Sequence, residues 1–167
     1  MGAKMGIVDG ISVNHVPFFT NFLREIKIKC LENWKEYFNK RSVEKGIWYK
    51  TIQNDPPKIP WFYDAKLSQQ MLVTSLRLRS GHVPLNAFRF MMKIVQSPNC
   101  TVCNTREDVY HALVECARVG AERRGLEKEI GIDFRCVGIC NAILSDPTSA
   151  LAIKVYWMFL KLVSLRV

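Results

Sequence analysis

Cys100-Thr101-Val102-Cys103 is separated by seven residues from His111, and His111 by four more from Cys116, a C-x2-C-x7-H-x4-C pattern. Zinc takes four soft or borderline ligands in a tetrahedron, and a C-x2-C turn reverses the chain so that two thiolates converge on one ion. His111 and Cys116 stand about 140° apart around an ideal α-helix. Both reach one ion only where that helix ends or loosens near Glu115, so Cys116 is expected just past its last turn. Four ligands leave no open position, and the role expected of the Zn2+ is structural.

Three further cysteines lie outside the pattern. Cys136 and Cys140 form a C-x3-C in an apolar helical stretch without a second pair of ligands beside them, and Cys30 falls on the apolar stripe of an early helix. All three are expected to pack in the core as small hydrophobes.

Outward from the cysteines the patterning is helical. Phe19, Phe22, Leu23, Ile26, Cys30, Trp34, Tyr37 and Phe38 recur at a helical period, which predicts one long amphipathic helix over residues 19–40. Residues 46–62 carry Asp55-Pro56-Pro57 and Ile59-Pro60, which exclude a continuous helix. An extended linker pinned by Trp48, Tyr49, Trp61 and Phe62 is expected there. The boundary falls at its end, with 1–62 as the N-terminal helix and linker and 63–167 as a helical zinc-binding domain. Asp64 is placed to cap a second helix running to Arg79, with Leu67, Met71, Leu72, Ser75 and Leu78 inward and Gly81 as its stop. Pro84 suits the first turn of a third, short helix. Later helices are expected over 108–115, 121–130, 134–144 and 148–165, with Gly131 closing the second of these and Asp146-Pro147 opening the last. With no strand pattern, the fold class is all-α: a compact helical domain with one zinc-stabilised CCHC loop-helix.

The 167 residues carry 24 Lys+Arg against 15 Asp+Glu, a formal charge of +9. Three thiolates and one Zn2+ sum to −1, so the loaded domain stays basic. That balance suits an acidic partner such as a nucleic-acid backbone, or else a solubility surface. Residues 1–10 lack the apolar core of a secretory signal. The apolar stretch 150–167 is broken by Lys154 and Lys161, so no membrane span is expected. The compartment implied is intracellular, nucleus or cytoplasm, where cysteines stay reduced.

Leu76-Arg77-Leu78-Arg79-Ser80-Gly81-His82, then Ser97-Pro98-Asn99-Cys100, then Glu107-Asp108-Val109-Tyr110-His111-Ala112-Leu113-Val114-Glu115-Cys116 form a succession. It closely resembles the C-terminal region of insect non-LTR retrotransposon polyproteins of the Jockey and related clades. The helix with Trp34 and the turn Ile143-Leu144-Ser145-Asp146 also look like that region, so the resemblance covers nearly the whole chain. Neither the paired aspartates of a reverse transcriptase nor the carboxylate cluster of an RNase H is present. The chain thus resembles a retrotransposon tail standing alone, as a domesticated host gene or an excised fragment.

The resemblance implies a non-catalytic module that engages RNA or DNA. Arg77, Arg79, Arg89, Lys93, Arg106, Arg118, Arg123 and Arg124 are the candidate phosphate contacts. His82 either joins them or caps the preceding helix, and Tyr110 either stacks on a base or packs in the core. The alternative is an adaptor for a host protein partner, presented by the apolar first and last helices. No nucleophile–base motif accompanies the three histidines, His15, His82 and His111, so no enzyme is expected.

Overall fold

A computed structural model describes residues 15–136 and 138–164. Residues 1–10, read above as lacking a secretory signal, lie outside the described residues. The fold is all-α, and an isolated bridge between Asn99 and Arg106 is the one piece of β pairing among the described residues. No helix among them is long and apolar enough to cross a membrane.

Helix α1 spans His15–Arg41, starting four residues before the stretch its period predicts, and its apolar stripe is not part of the core. Positions 19–37 are all exposed. Cys30 therefore stands in solvent, contrary to the packing role expected of it. Helical periodicity reports a shared face and is silent on what that face meets.

Residues 46–62 are not extended throughout. Gly46, at φ +81°, turns the chain into helix α2 (Ile47–Ile52). Trp48 anchors it by donating from Nε1 to the Leu78 carbonyl at 2.8 Å, while Ile52 is buried. The prolines break only the part that follows, as their missing N–H groups require.

Helix α3 covers Gln69–Ser80. Its cap is Ser68 rather than Asp64: Ser68 Oγ accepts from the Met71 N–H at 3.4 Å. Gly81 ends it in the left-handed conformation at φ +76°, as expected. Met71, Ser75 and Leu78 face inward. Helix α4 (Asn86–Met91) follows Pro84.

Beyond the cysteine loop, α5 spans Gly120–Ile130 and is closed by Gly131 in the left-handed region. Helix α6 is shorter than its pattern, covering Ile139–Ser145. Phe134 precedes it in a turn and is 2% exposed, so its apolar character marks core rather than helix. Cys136 is exposed and Cys140 buried, so of the three cysteines expected in the core only Cys140 is there. Helix α7 (Ala150–Ser164) is the central element, touching α3, α5, α6 and the His111–Glu115 turn. Its Val155, Tyr156, Phe159 and Leu162 are buried, each worth about 1.5–3 kcal/mol in removed apolar surface. The Tyr156 hydroxyl meets Ser75 Oγ and the Pro147 carbonyl, both at 3.0 Å, so burying it leaves no polar group stranded.

Candidate metal centre

Two local devices bring the four donors together. The first is the turn 100–106. The Cys100 N–H donates to the Thr105 carbonyl at 2.8 Å, and the Asn104 N–H donates back to the Cys100 carbonyl at 2.9 Å. Asn104 takes φ +54°, which asparagine tolerates better than most residues and which folds the loop tightly enough to aim both sulfurs inward.

The second device is the segment His111–Glu115, which widens from α-helical to π-helical hydrogen bonding. The Cys116 N–H donates to the His111 carbonyl, five residues back, at 2.7 Å. The wider turn carries Cys116 round to the side of His111, and at Cys116 the chain leaves the helix with ψ 127°. This is the loosening that the five-residue spacing demanded, and π turns of this kind concentrate at functional positions.

The donor atoms of Cys100, Cys103, His111 and Cys116 all lie within 4.8 Å of one another, so the four could hold a metal ion. In a tetrahedron with 2.3 Å metal–sulfur bonds the donors stand about 3.8 Å apart, so small side-chain adjustments close the set. Cys100, His111 and Cys116 are buried and Cys103 is half-buried.

The histidine ring is already oriented. Nδ1 lies 3.0 Å from Thr105 Oγ1 and 3.2 Å from Glu115 Oε2. A carboxylate only accepts, so Nδ1 carries the ring proton and Nε2 presents its lone pair. Nε2 is buried with no hydrogen-bond partner among the described residues. A buried polar atom is rarely left so, and here it is aimed as a ligand would be, with Thr105 and Glu115 as outer supports. Glu115 was within reach of sequence reading, four positions from His111 on a helix, and Thr105 was not.

The electrostatics favour thiolate at Cys100. Burial alone would push its thiol up. The backbone N–H groups of Cys103 and Val102 and the Arg118 guanidinium oppose burial, and the thiol is brought down to about 6. Cys103 is raised instead: the Ala117 N–H lowers it, but burial and the nearby Cys116 and Cys100 sulfurs prevail. Such mutual repulsion between thiolates is what a cation at their centre would relieve. Arg118 Nη2 lies 3.7 Å from Cys100 Sγ and also pairs with Glu107. Glu107, 1% exposed, accepts the Asn86 N–H at 2.9 Å on its second oxygen and so ties the start of α4 to the centre.

The basic residues singled out from sequence fall into two sets. Arg79 and Arg123 are buried and Arg118 is half-buried, and all three bond inside the fold. Arg79 donates to the Leu144 carbonyl and to Gln53 Oε1, and its guanidinium lies over the Tyr49 and Trp61 rings at 5.7 and 5.4 Å. Arg123 donates to the Cys116 carbonyl at 3.1 Å, steadying the last ligand. A guanidinium so engaged is not displayed to a phosphate. Arg77, His82, Lys93, Arg106 and Arg124 are exposed and Arg89 is half-buried. A groove of about 230 Å³ beside the centre has Phe88, Met91, Arg106 and Tyr110 in its wall, and His82 packs edge-on against Phe88 at 5.2 Å. Tyr110 is 42% exposed, so it is a surface residue rather than a core one. Among the described residues, no further donors join Cys136 and Cys140 in a second metal cluster.

Comparison of the chain with protein-family models, with curated proteins and with solved structures finds no match.

Proposed function

We propose that this chain is a non-catalytic zinc-binding module that engages RNA or DNA through the basic surface beside its metal centre. Three thiolates and one imidazole, with no fifth position prepared for water or substrate, suit a structural Zn2+. The observation that carries the nucleic-acid half is the groove next to the centre. Arg106 and Tyr110 both line its wall, along with Glu107 and Asp108, and offer a phosphate-pairing cation and a ring on which a base can stack. The formal charge of +9 and the exposed Arg77, His82, Lys93 and Arg124, with Arg89 half-buried, support the same reading. So does the resemblance of the residues around the centre to retrotransposon polyprotein tails.

The test is a binding titration of zinc-loaded protein with single-stranded RNA and DNA across a salt series. Binding that weakens linearly in log salt, and that drops for Arg106→Ala and Tyr110→Ala at unchanged zinc content, supports the reading. Absence of binding to either nucleic acid at low salt overturns it and favours the adaptor for a host protein. The exposed apolar stripe of α1 is the observation on the adaptor's side.

A further inference from the structure

Helix α1 exposes most of its large apolar side chains. At 27 residues it is about 40 Å long. Lys35, Phe38 and Asn39, in its last turns, tie it to the remainder: Lys35 pairs with Asp55 at 3.2 Å, Phe38 meets the Tyr49 ring edge-on and Asn39 accepts from Lys50. Before them, Phe19 is 63% exposed, Phe22 52% and Trp34 58%. An apolar stripe of this length in water is normally covered.

The order of residues along the stripe says what covers it. Phe19, Leu23, Ile26, Cys30, Asn33 and Tyr37 alternate spacings of four and three, the a and d positions of a heptad sustained over about three repeats. The neighbouring positions decide the partner and its direction. Parallel pairing of two copies sets each g residue against the e residue five positions on in the other helix. Phe22 then meets Lys27, Lys29 meets Trp34, and Glu36 meets Arg41. The first two are cation-on-ring contacts and the third is an ion pair. Antiparallel pairing in the register that overlaps the whole stripe sets Lys27 against Lys27 and Lys29 against Lys29, which repel, and a shift of one heptad avoids this only by leaving one end of the stripe without a partner. The helix is thus complementary to a parallel copy of itself.

We propose that α1 pairs with the α1 of a second copy of this chain, as a parallel two-stranded coiled coil in which Cys30 faces the partner's Cys30. The two bodies then leave from the same end of the coil and present their metal centres as a pair.

Light scattering on the zinc-loaded chain should give twice the chain mass, and Ile26→Asp should halve it while leaving zinc content and the melting of the body unchanged. In a Cys136→Ser background, diamide should join the two Cys30 sulfurs. The thiols lose two electrons and two protons, and the diamide is reduced to its hydrazine. The covalent dimer should revert with dithiothreitol and be absent in Cys30→Ser. A chain-mass species at the highest soluble concentration overturns the proposal, as does a dimer that survives Ile26→Asp. A dimer that diamide does not link through Cys30 overturns the parallel register.

Discussion

Arg118 donates to Glu107 inside the fold while its guanidinium stands 3.7 Å from the Cys100 sulfur, so one side chain joins a buried carboxylate to the metal centre. Removing the carboxylate leaves the cation half-buried and the Asn86 N–H without its acceptor. Glu107→Ala is therefore expected to destabilise the zinc-loaded protein by about 3 kcal/mol or more. Urea unfolding measures this, and a loss below about 1 kcal/mol, the range of an exposed pair, would show the pair to be incidental. Glu107→Gln keeps an acceptor for Asn86 and should lose less.

Metal analysis of freshly reduced protein should find one zinc per chain, since one four-donor cluster is present among the described residues. Cys103→Ser should lose the metal and expose residues 97–124 to protease, because closing the site and ordering its loop are one event. Cys30→Ser and Cys140→Ser should retain it.

Thr105 and Glu115 hold the His111 ring from its Nδ1 side. Glu115→Ala and Thr105→Val are expected to weaken metal affinity by about 10- to 100-fold each with little change in helix content. Competition with a chromophoric chelator reads this directly, and equal affinity would mean that the ring is positioned by packing alone.

Thiol reactivity should separate the cysteines outside the cluster. Cys136 is exposed and should react at once with a disulfide reagent in the folded, zinc-loaded protein, as should Cys30 in the Ile26→Asp variant, where α1 is unpaired. Burial, and then the negative Asp108, push the Cys140 thiol from the ordinary 9.0 up to about 12, so it should react only on unfolding. The sign for stability follows. A raised folded pKa contributes stability that is complete below 9.0 and is lost as pH rises from there through about 12. Cys140→Ala should flatten the alkaline fall in unfolding free energy.

Arg79 and Arg106 should fail in opposite ways. Arg79, 2% exposed, bridges Gln53 and the Leu144 carbonyl, so Arg79→Ala should lower the melting temperature. Arg106→Ala should leave melting unchanged and, where RNA or DNA is bound, reduce the salt slope by roughly 0.7–0.9 for each phosphate left without its cation. An Arg79→Ala variant that melts normally would place that residue with the surface set.

Much of the centre was legible in the residues because its constraints are local. Two cysteines three positions apart demand a chain reversal, and the Asn99–Arg106 loop supplies it. His111 and Cys116 demand a widened turn, and the π-helical segment provides one. Gly81 and Gly131 ended helices where a left-handed residue is needed. The misjudgements share a cause. Asp64 is as good a cap as Ser68 in isolation, and Phe134 reads as helix because apolar residues there match the period.

Most of the helices, though not α2 (Ile47–Ile52), and which four side chains can share a cation, followed from spacing along the chain, since the backbone fixes distances over a few residues whatever surrounds them. Which arginines face solvent did not follow. Arg77 and Arg79 are two positions apart on one helix, yet the first is exposed and the second is enclosed by Tyr49, Trp61 and the Leu144 carbonyl. Likewise Cys30 and Cys140 both lie in apolar helical sequence, one open to solvent and one in the core. Periodicity groups residues onto a face, and burial then depends on what the rest of the chain lays against that face. That choice is made among groups far apart in sequence, so only the tertiary structure decides it.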